Sequence, residues 1–168
     1  MALALIARRT KAHSMSDLSP EVVELDPQDA IAVRGDVMIA DLPNFFERAF
    51  TMAAAAVAAS GAEIVGPPFG FYPEMPSATV VVEACFPVSR PVERVADAHP
   101  FVLPGGRVVQ AVHVGPYETM EETYVGLESW MDQQGLHPAV GMWECYLSDP
   151  LTEPDPATWR TKIIWPII

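Results

Sequence analysis

Basic side chains are scarce in this chain. Lys and Arg number 10 against 22 Asp and Glu in 168 residues, a formal net charge of −12. Apart from Arg8-Arg9-Thr10-Lys11 they form no cluster, so a footprint for a phosphate backbone is not expected. An acidic surface attracts cations at encounter without selecting any one of them. Cysteine is nearly absent too. Cys85 and Cys145 each lie in an apolar, strand-like run, which reads as two free thiols in a reducing cytoplasm and not as a disulfide framework. His13, His99, His113 and His137 show no ligand spacing with one another or with the cysteines, so neither a metal nor a cofactor is expected. No apolar run reaches the roughly 18 residues of a membrane span, and the alanine-rich tract at 51–59 is too short. The chain also lacks Gly-x-Ser-x-Gly, a Cys–His pairing signal and a glycine-rich phosphate loop. Ser77, Ser89, Ser129 and Ser148 stand without catalytic partners, which leaves little support for a covalent nucleophile.

What the chain does have is apolar content, 50% of its residues, enough for a sizeable core in one domain or in two small halves sharing one core. Residues 1–20 read as a flexible extension: the apolar start precedes Arg8, Arg9 and Lys11, the reverse of a secretory signal. Residues 21–26 and 29–35 then read as short strands. Asp41 offers a helix N-cap with Pro43 in the first turn, and Leu42, Phe45, Phe46, Ala49, Met52 or Ala53, and Val57 recur at helical spacing up to Ser60-Gly61. Strands are expected at 69–72 and 79–86, the latter strongly β-forming.

The second half follows the same order. Gly105-Gly106 turns into a strand at 107–114. Thr119 and Glu122 have capping-box spacing, Met120, Tyr124, Leu127 and Met131 line one helical face, and Gly135 ends the helix. Strands follow through Met142–Leu147 and 159–166. Gly61 precedes Tyr72 by eleven residues, as Gly135 precedes Tyr146. Two strand–helix–strand–strand units, about 21–88 and 105–168, are therefore expected to pack together as an α+β domain with antiparallel sheet, two main helices and a cavity between them. Residues 88–104, with three prolines, are expected to form a surface linker.

Glu144 is the first candidate for chemistry. Strand alternation sets Met142, Glu144 and Tyr146 on one face and Trp143, Cys145 and Leu147 on the other. A carboxylate among aromatic residues is costly without a partner, and the arrangement suits a lipophilic cation through charge attraction and cation–π contact. Tyr72 is the counterpart of Tyr146, Phe71 of Cys145, and Gly70 takes the place of Glu144. Tyr117, after His113-Val114-Gly115-Pro116, is delivered to the rim. The expected ligand-binding set is Glu144, Tyr146, Trp143, Tyr117, Tyr72, Phe71, Met142, Trp165 and His113. For some members a bland reading competes: Trp165 as a core-closing residue, His113 as a structural strand-end histidine. Phe45, Phe46 and Phe50 read as core. Glu83 is either an edge-strand carboxylate or a second acid near the cavity.

Together, His113-Val114-Gly115-Pro116-Tyr117, Trp143-Glu144-Cys145-Tyr146, the closing Trp165-Pro166, Val33-Arg34-Gly35 and Glu83–Val88 resemble the GyrI-like family over about residues 21–168. Its module also serves as the effector-binding domain of multidrug-responsive transcription activators. The resemblance implies two stacked units around a cavity with a buried acid, matching Glu144, that faces hydrophobic cations. It also implies a stand-alone member, since no DNA-binding segment fits in residues 1–20. Three functions follow from it. One is a binding protein that sequesters lipophilic, cationic or aromatic xenobiotics. Another is a hydrolase opening the cyclopropane of DNA-alkylating natural products, with Glu144 orienting water and Tyr117 or Tyr146 donating to the developing anion. The last is an inhibitor that docks on a basic protein such as a topoisomerase. No direct nucleic-acid or membrane contact is expected. Residues 1–14 carry no periodic apolar face, so their removal should leave the melting temperature and ligand affinity unchanged in a thermal-shift and binding comparison.

Overall fold

The computed structural model describes residues 18–75 and 77–168. The predicted extension therefore lies outside the described residues up to position 17, although Leu18 already packs beside Gly126. Eight strands and two main helices follow in the order β1 (Glu21–Leu25), β2 (Gln28–Met38), α1 (Leu42–Ser60), β3 (Phe69–Tyr72), β4 (Thr79–Pro87), β5 (Ala98–Leu103), β6 (Gly106–Val114), α2 (Met120–Gln134), β7 (Met142–Tyr146) and β8 (Arg160–Pro166). This is the expected α+β architecture. One element departs from expectation: β5 occupies part of the predicted linker. Its proline, Pro100, sits opposite Ile31 in a strand paired only with β2, and such an outer position tolerates a missing N–H.

All eight strands join one antiparallel sheet in the order β1-β6-β8-β7-β3-β4-β2-β5. The sheet curls strongly. β1 runs into β2 across Asp26-Pro27, and β5 runs into β6 across Pro104-Gly105. The pairing Leu25↔Gly106 resumes in the same register as Gln28↔Leu103. Phe71 of β3 and Phe101 of β5, which are not neighbours in the sheet, have ring centroids 5.3 Å apart. The inner face thus closes over a core to which strands alone contribute: Ala30, Ala32, Phe69, Cys85, Val108, Trp143 and Ile164. Glu83 is buried at the inner side, with Arg34 at 2.9 Å and His99 at 3.3 Å. It is neither an edge carboxylate nor a second acid of a helix-side cavity.

Both helices pack on the outer face. α1 buries Leu42, Phe45, Phe46, Ala49, Ala53, Ala56 and Val57, and α2 buries Met120, Tyr124, Leu127 and Met131. At about 1.5–3 kcal/mol for each large apolar side chain fully buried, this stripe and not intrinsic propensity holds each helix in place. A short 3-10 turn leads into each helix, Ile39–Asp41 and Tyr117–Thr119. These turns displace the predicted caps. Asp41 makes no side-chain cap, and the Thr119 hydroxyl donates to the Pro116 carbonyl at 2.8 Å. Both helices stop at a glycine in the left-handed region, Gly61 with φ 67° and Gly135 with φ 66°.

A Cβ added at Gly135 would meet nothing within 4 Å, so the cost of a side chain there is the backbone conformation alone. Gly135→Ala should lower unfolding free energy by about 1 kcal/mol in a denaturant titration, and Gly135→Asn by less.

Candidate ligand-binding site

Glu144 stands mid-strand in β7 on the helix-covered face, with no solvent exposure. A carboxylate so placed costs several kcal/mol unless donors replace its water. Three tyrosines do so. The Tyr146 hydroxyl, two residues along the same strand, donates to Oε2 at 3.0 Å. Tyr72 of the neighbouring β3 lies 3.3 Å from the same oxygen. Tyr124 reaches down from α2 and donates a hydrogen bond to Oε1. Tyr72 and Tyr146 also touch each other, hydroxyl to hydroxyl, at 3.1 Å. Burial, with the carboxylate charge adding to it, pushes the hydroxyls of Tyr124 and Tyr146 well above the usual phenol range. They therefore stay protonated and act as donors at any ordinary pH.

Gly70 makes the arrangement sterically feasible. It pairs with Glu144 across β3 and β7. An added Cβ would fall 2.9 Å from the Tyr146 hydroxyl oxygen, 3.1 Å from the Phe46 ring and 3.2 Å from the Tyr72 hydroxyl oxygen.

Two cavities flank this cluster. The larger, about 460 Å³, is walled by Phe46, Phe50, Tyr117 and Tyr146, with Pro67, Pro68 and the 147–150 loop at its mouth. Its rings meet edge to face: Tyr146 lies 5.7 Å from Phe46, 6.3 Å from Phe50 and 6.2 Å from Tyr117 between centroids. Burial, Glu144 and Asp149 raise the Tyr117 hydroxyl to about 12. The smaller cavity, about 300 Å³, is lined by Tyr72, Tyr124, Met142, Trp165, Glu74 and Glu128 among others. Among the described residues, no Lys, Arg or His lines either one.

Of the predicted site residues, Glu144, Tyr146 and Tyr72 meet directly, Met142 and Trp165 line the smaller cavity, and Tyr117 walls the larger. Trp143 and Phe71 do not join them. Strand alternation turns both to the inner face, where their rings lie 6.2 Å apart in the strand-only core. His113 is buried and pins β6 to the entry of α2. Its Nε2 donates to the Pro116 carbonyl at 3.1 Å, and Nδ1 accepts from the Thr123 hydroxyl at 2.7 Å. Burial lowers its proton affinity below the usual imidazole range, consistent with that neutral tautomer. The sequence reads Phe46 and Phe50 as core and sets Tyr124 only on the apolar face of the second helix. Yet Tyr124 supplies the third donor to Glu144 and the two phenylalanines wall the larger cavity. The Tyr124 hydroxyl was the available signal, since a buried phenol demands a partner. Both cysteines are free, with Cys85 buried and Cys145 half-buried.

The GyrI-like small molecule binding domain family matches residues 18–168, and the chain belongs to that family. Among solved structures, the EcmrR C-terminal domain is similar at 19% identity with a TM-score of 0.79, covering 90% of this chain and 98% of that one. A hydrolase from Listeria innocua is similar at 16% identity, TM-score 0.67, covering 89% and 91%. SAV2435, solved with tetraphenylphosphonium bound, is similar at 9% identity, TM-score 0.64, covering 89% and 94%. At these identities the likeness is one of fold. This chain spans 58% of EcmrR as present in its DNA complex. No curated protein matches the sequence. No helix among the described residues is long and apolar enough to cross a membrane.

Because the tyrosine hydroxyls fill the space above Gly70, Gly70→Ala should displace them. The expected result is a loss of about 1–3 kcal/mol in stability together with a changed near-ultraviolet tyrosine dichroism. An unchanged spectrum would show that the cluster does not depend on this glycine.

Proposed function

We propose that the chain binds lipophilic, aromatic cations in the larger cavity, with Glu144 supplying the compensating charge. The observation that carries this reading is a fully buried carboxylate held by tyrosine hydroxyls, beside an aromatic cavity that no basic side chain lines. A cavity of about 460 Å³ is within the range that holds small organic ligands. A cation against the Tyr146 ring meets two attractions at once. The ring face offers cation–π contact, and its hydroxyl, hydrogen-bonded to a carboxylate, leaves the ring richer in electrons than a free phenol. Asp149 at the mouth favours the same sign of charge. The fold is shared with a protein that was solved with a lipophilic phosphonium, which supports this ligand class. Sequestration or sensing of such compounds is the corresponding biological role.

Cyclopropane-opening hydrolysis would use the same Glu144 to orient water, with Tyr146 or Tyr117 as donor. A carboxylate without exposure, engaged on both oxygens by phenol hydroxyls, favours binding over turnover.

Glu144→Gln keeps the shape and removes the charge. Tetraphenylphosphonium affinity, measured by calorimetry, should fall about 10- to 100-fold, while neutral triphenylphosphine oxide binds nearly as before. Equal affinity of the phosphonium for both proteins would sink the proposal. Formation of a ring-opened product from a cyclopropane-bearing alkylator, lost in the same variant and followed by mass spectrometry, would establish the hydrolase instead.

A further inference from the structure

The two cavities are not independent hollows. An offset of 74 residues carries Gly61 onto Gly135, the two helix-ending glycines, and Tyr72 onto Tyr146. The same offset carries Gly70 onto Glu144, and these two residues are direct partners in the antiparallel pairing of β3 with β7. An antiparallel pair has a local two-fold axis, so the offset and the register together place that axis between Gly70 and Glu144. Applied to the cavity walls, the offset takes Phe50 to Tyr124, Pro67 to Gly141 and Pro68 to Met142. In the opposite sense it takes Tyr146 to Tyr72, Ser148 to Glu74 and Asp149 to Met75. Residues of one cavity become residues of the other. Glu144, standing at the axis, is reached from one side through Tyr146 and from the other through Tyr72 and Tyr124.

We propose that the smaller cavity is a second binding site for compact aromatic cations, and that it is coupled negatively to the larger one through the shared Glu144. This rests on the cation-binding reading of the larger cavity and extends it. The smaller cavity has the features the class requires. Its walls include Tyr72, Tyr124 and the Trp165 indole, whose ring lies 6.1 Å from that of Tyr124 between centroids. Glu74 and Glu128 add carboxylates to its lining. Its volume of about 300 Å³ admits one or two fused rings better than a bulky phosphonium, so the two sites differ in ligand size.

The negative sign of the coupling comes from counting protons. Tyr72, Tyr146 and Glu144 Oε2 form a triangle of oxygens with edges of 3.0, 3.1 and 3.3 Å. Only two hydroxyl protons serve those three edges. In one arrangement Tyr146 donates to the carboxylate and Tyr72 donates to Tyr146; in the other the roles exchange. If both donate to Glu144, the two phenol oxygens are left 3.1 Å apart with lone pairs facing. A cation in either cavity favours the arrangement in which its own tyrosine donates straight to the carboxylate. That arrangement disfavours the other cavity, and one negative charge serves two positive ligands poorly.

N-methylquinolinium, a compact aromatic monocation, tests the proposal by calorimetry and equilibrium dialysis on the full chain. The expected isotherm has two events per chain, the second weaker than the first by about tenfold or more, a coupling of ordinary allosteric size. Glu128→Lys, at an exposed position of α2 in the smaller cavity, should leave one event, and Asp149→Lys at the mouth of the larger cavity should leave the other. Tyr72→Phe keeps the ring and removes one of the two protons, so the gap between the two affinities should narrow severalfold. A Glu128→Lys isotherm identical to wild type would overturn the second site while the larger-cavity reading stands. A gap unaltered in Tyr72→Phe would overturn the coupling. No binding of either N-methylquinolinium or tetraphenylphosphonium to the wild-type chain would remove both readings together.

Discussion

The candidate site on the helix side of this molecule depends on one hydrogen-bonded cluster, a carboxylate taken fully out of water and surrounded by three phenols. Glu144 alone at that position would destabilise the fold by several kcal/mol. Held among Tyr72, Tyr124 and Tyr146, it ties α2 to the two central strands, since one phenol hydroxyl comes from each of α2, β3 and β7. The same bonds set the directions of the rings, and those rings are walls of the flanking cavities. Stability and the shape of the flanking cavities therefore draw on the same atoms. A protein with a purely apolar seam between helix and sheet would hold together as well, but would offer a cation nothing.

The sheet's curl explains why this cluster has room. With the inner face filled by a strand-only core, the outer face is free to carry helices at its two sides and to leave a gap above β3 and β7. Small residues keep that gap open at the points of closest approach. Gly70 is the clearest case, because a methyl group there would collide with the hydroxyls that make the site.

Much of this was legible in the chain before any coordinates. Repeated glycine stops and eleven-residue intervals pointed to the two helices and to the strands after them. A lone acid between apolar residues pointed to Glu144, and period-two alternation pointed to Tyr146 and Met142. The same alternation puts Trp143 and Phe71 on the far side, and the aromatic character that makes them candidates is a weaker guide than strand geometry. Tyr124 could not be separated from Met120, Leu127 and Met131 by periodicity, because a helical stripe records burial and not what a hydroxyl at its tip will touch. β5 is hidden by Pro100 and by the prolines that flank it, Pro91 and Pro104. Only the pairing with β2, more than 60 residues away in sequence, turns that segment into a strand.

The continuous pairing of β1-β2 with β5-β6 also governs how the molecule comes into being. β2 finds β4 once residue 87 exists, but Glu21 meets Gln110, so β1 has no partner until about two thirds of the chain exists. On a ribosome β1 must wait, unpaired, for residues made much later. The other seam between the halves, β3 against β7, pairs residues 69–72 with residues 142–145. Such non-local pairing slows folding and lengthens the time for which sticky strands stand open. Each half can pair its own strands early, β2 with β4 and β6 with β8, but the sheet that shelters a buried charge is completed late, when β1 and β7 meet strands of the other half.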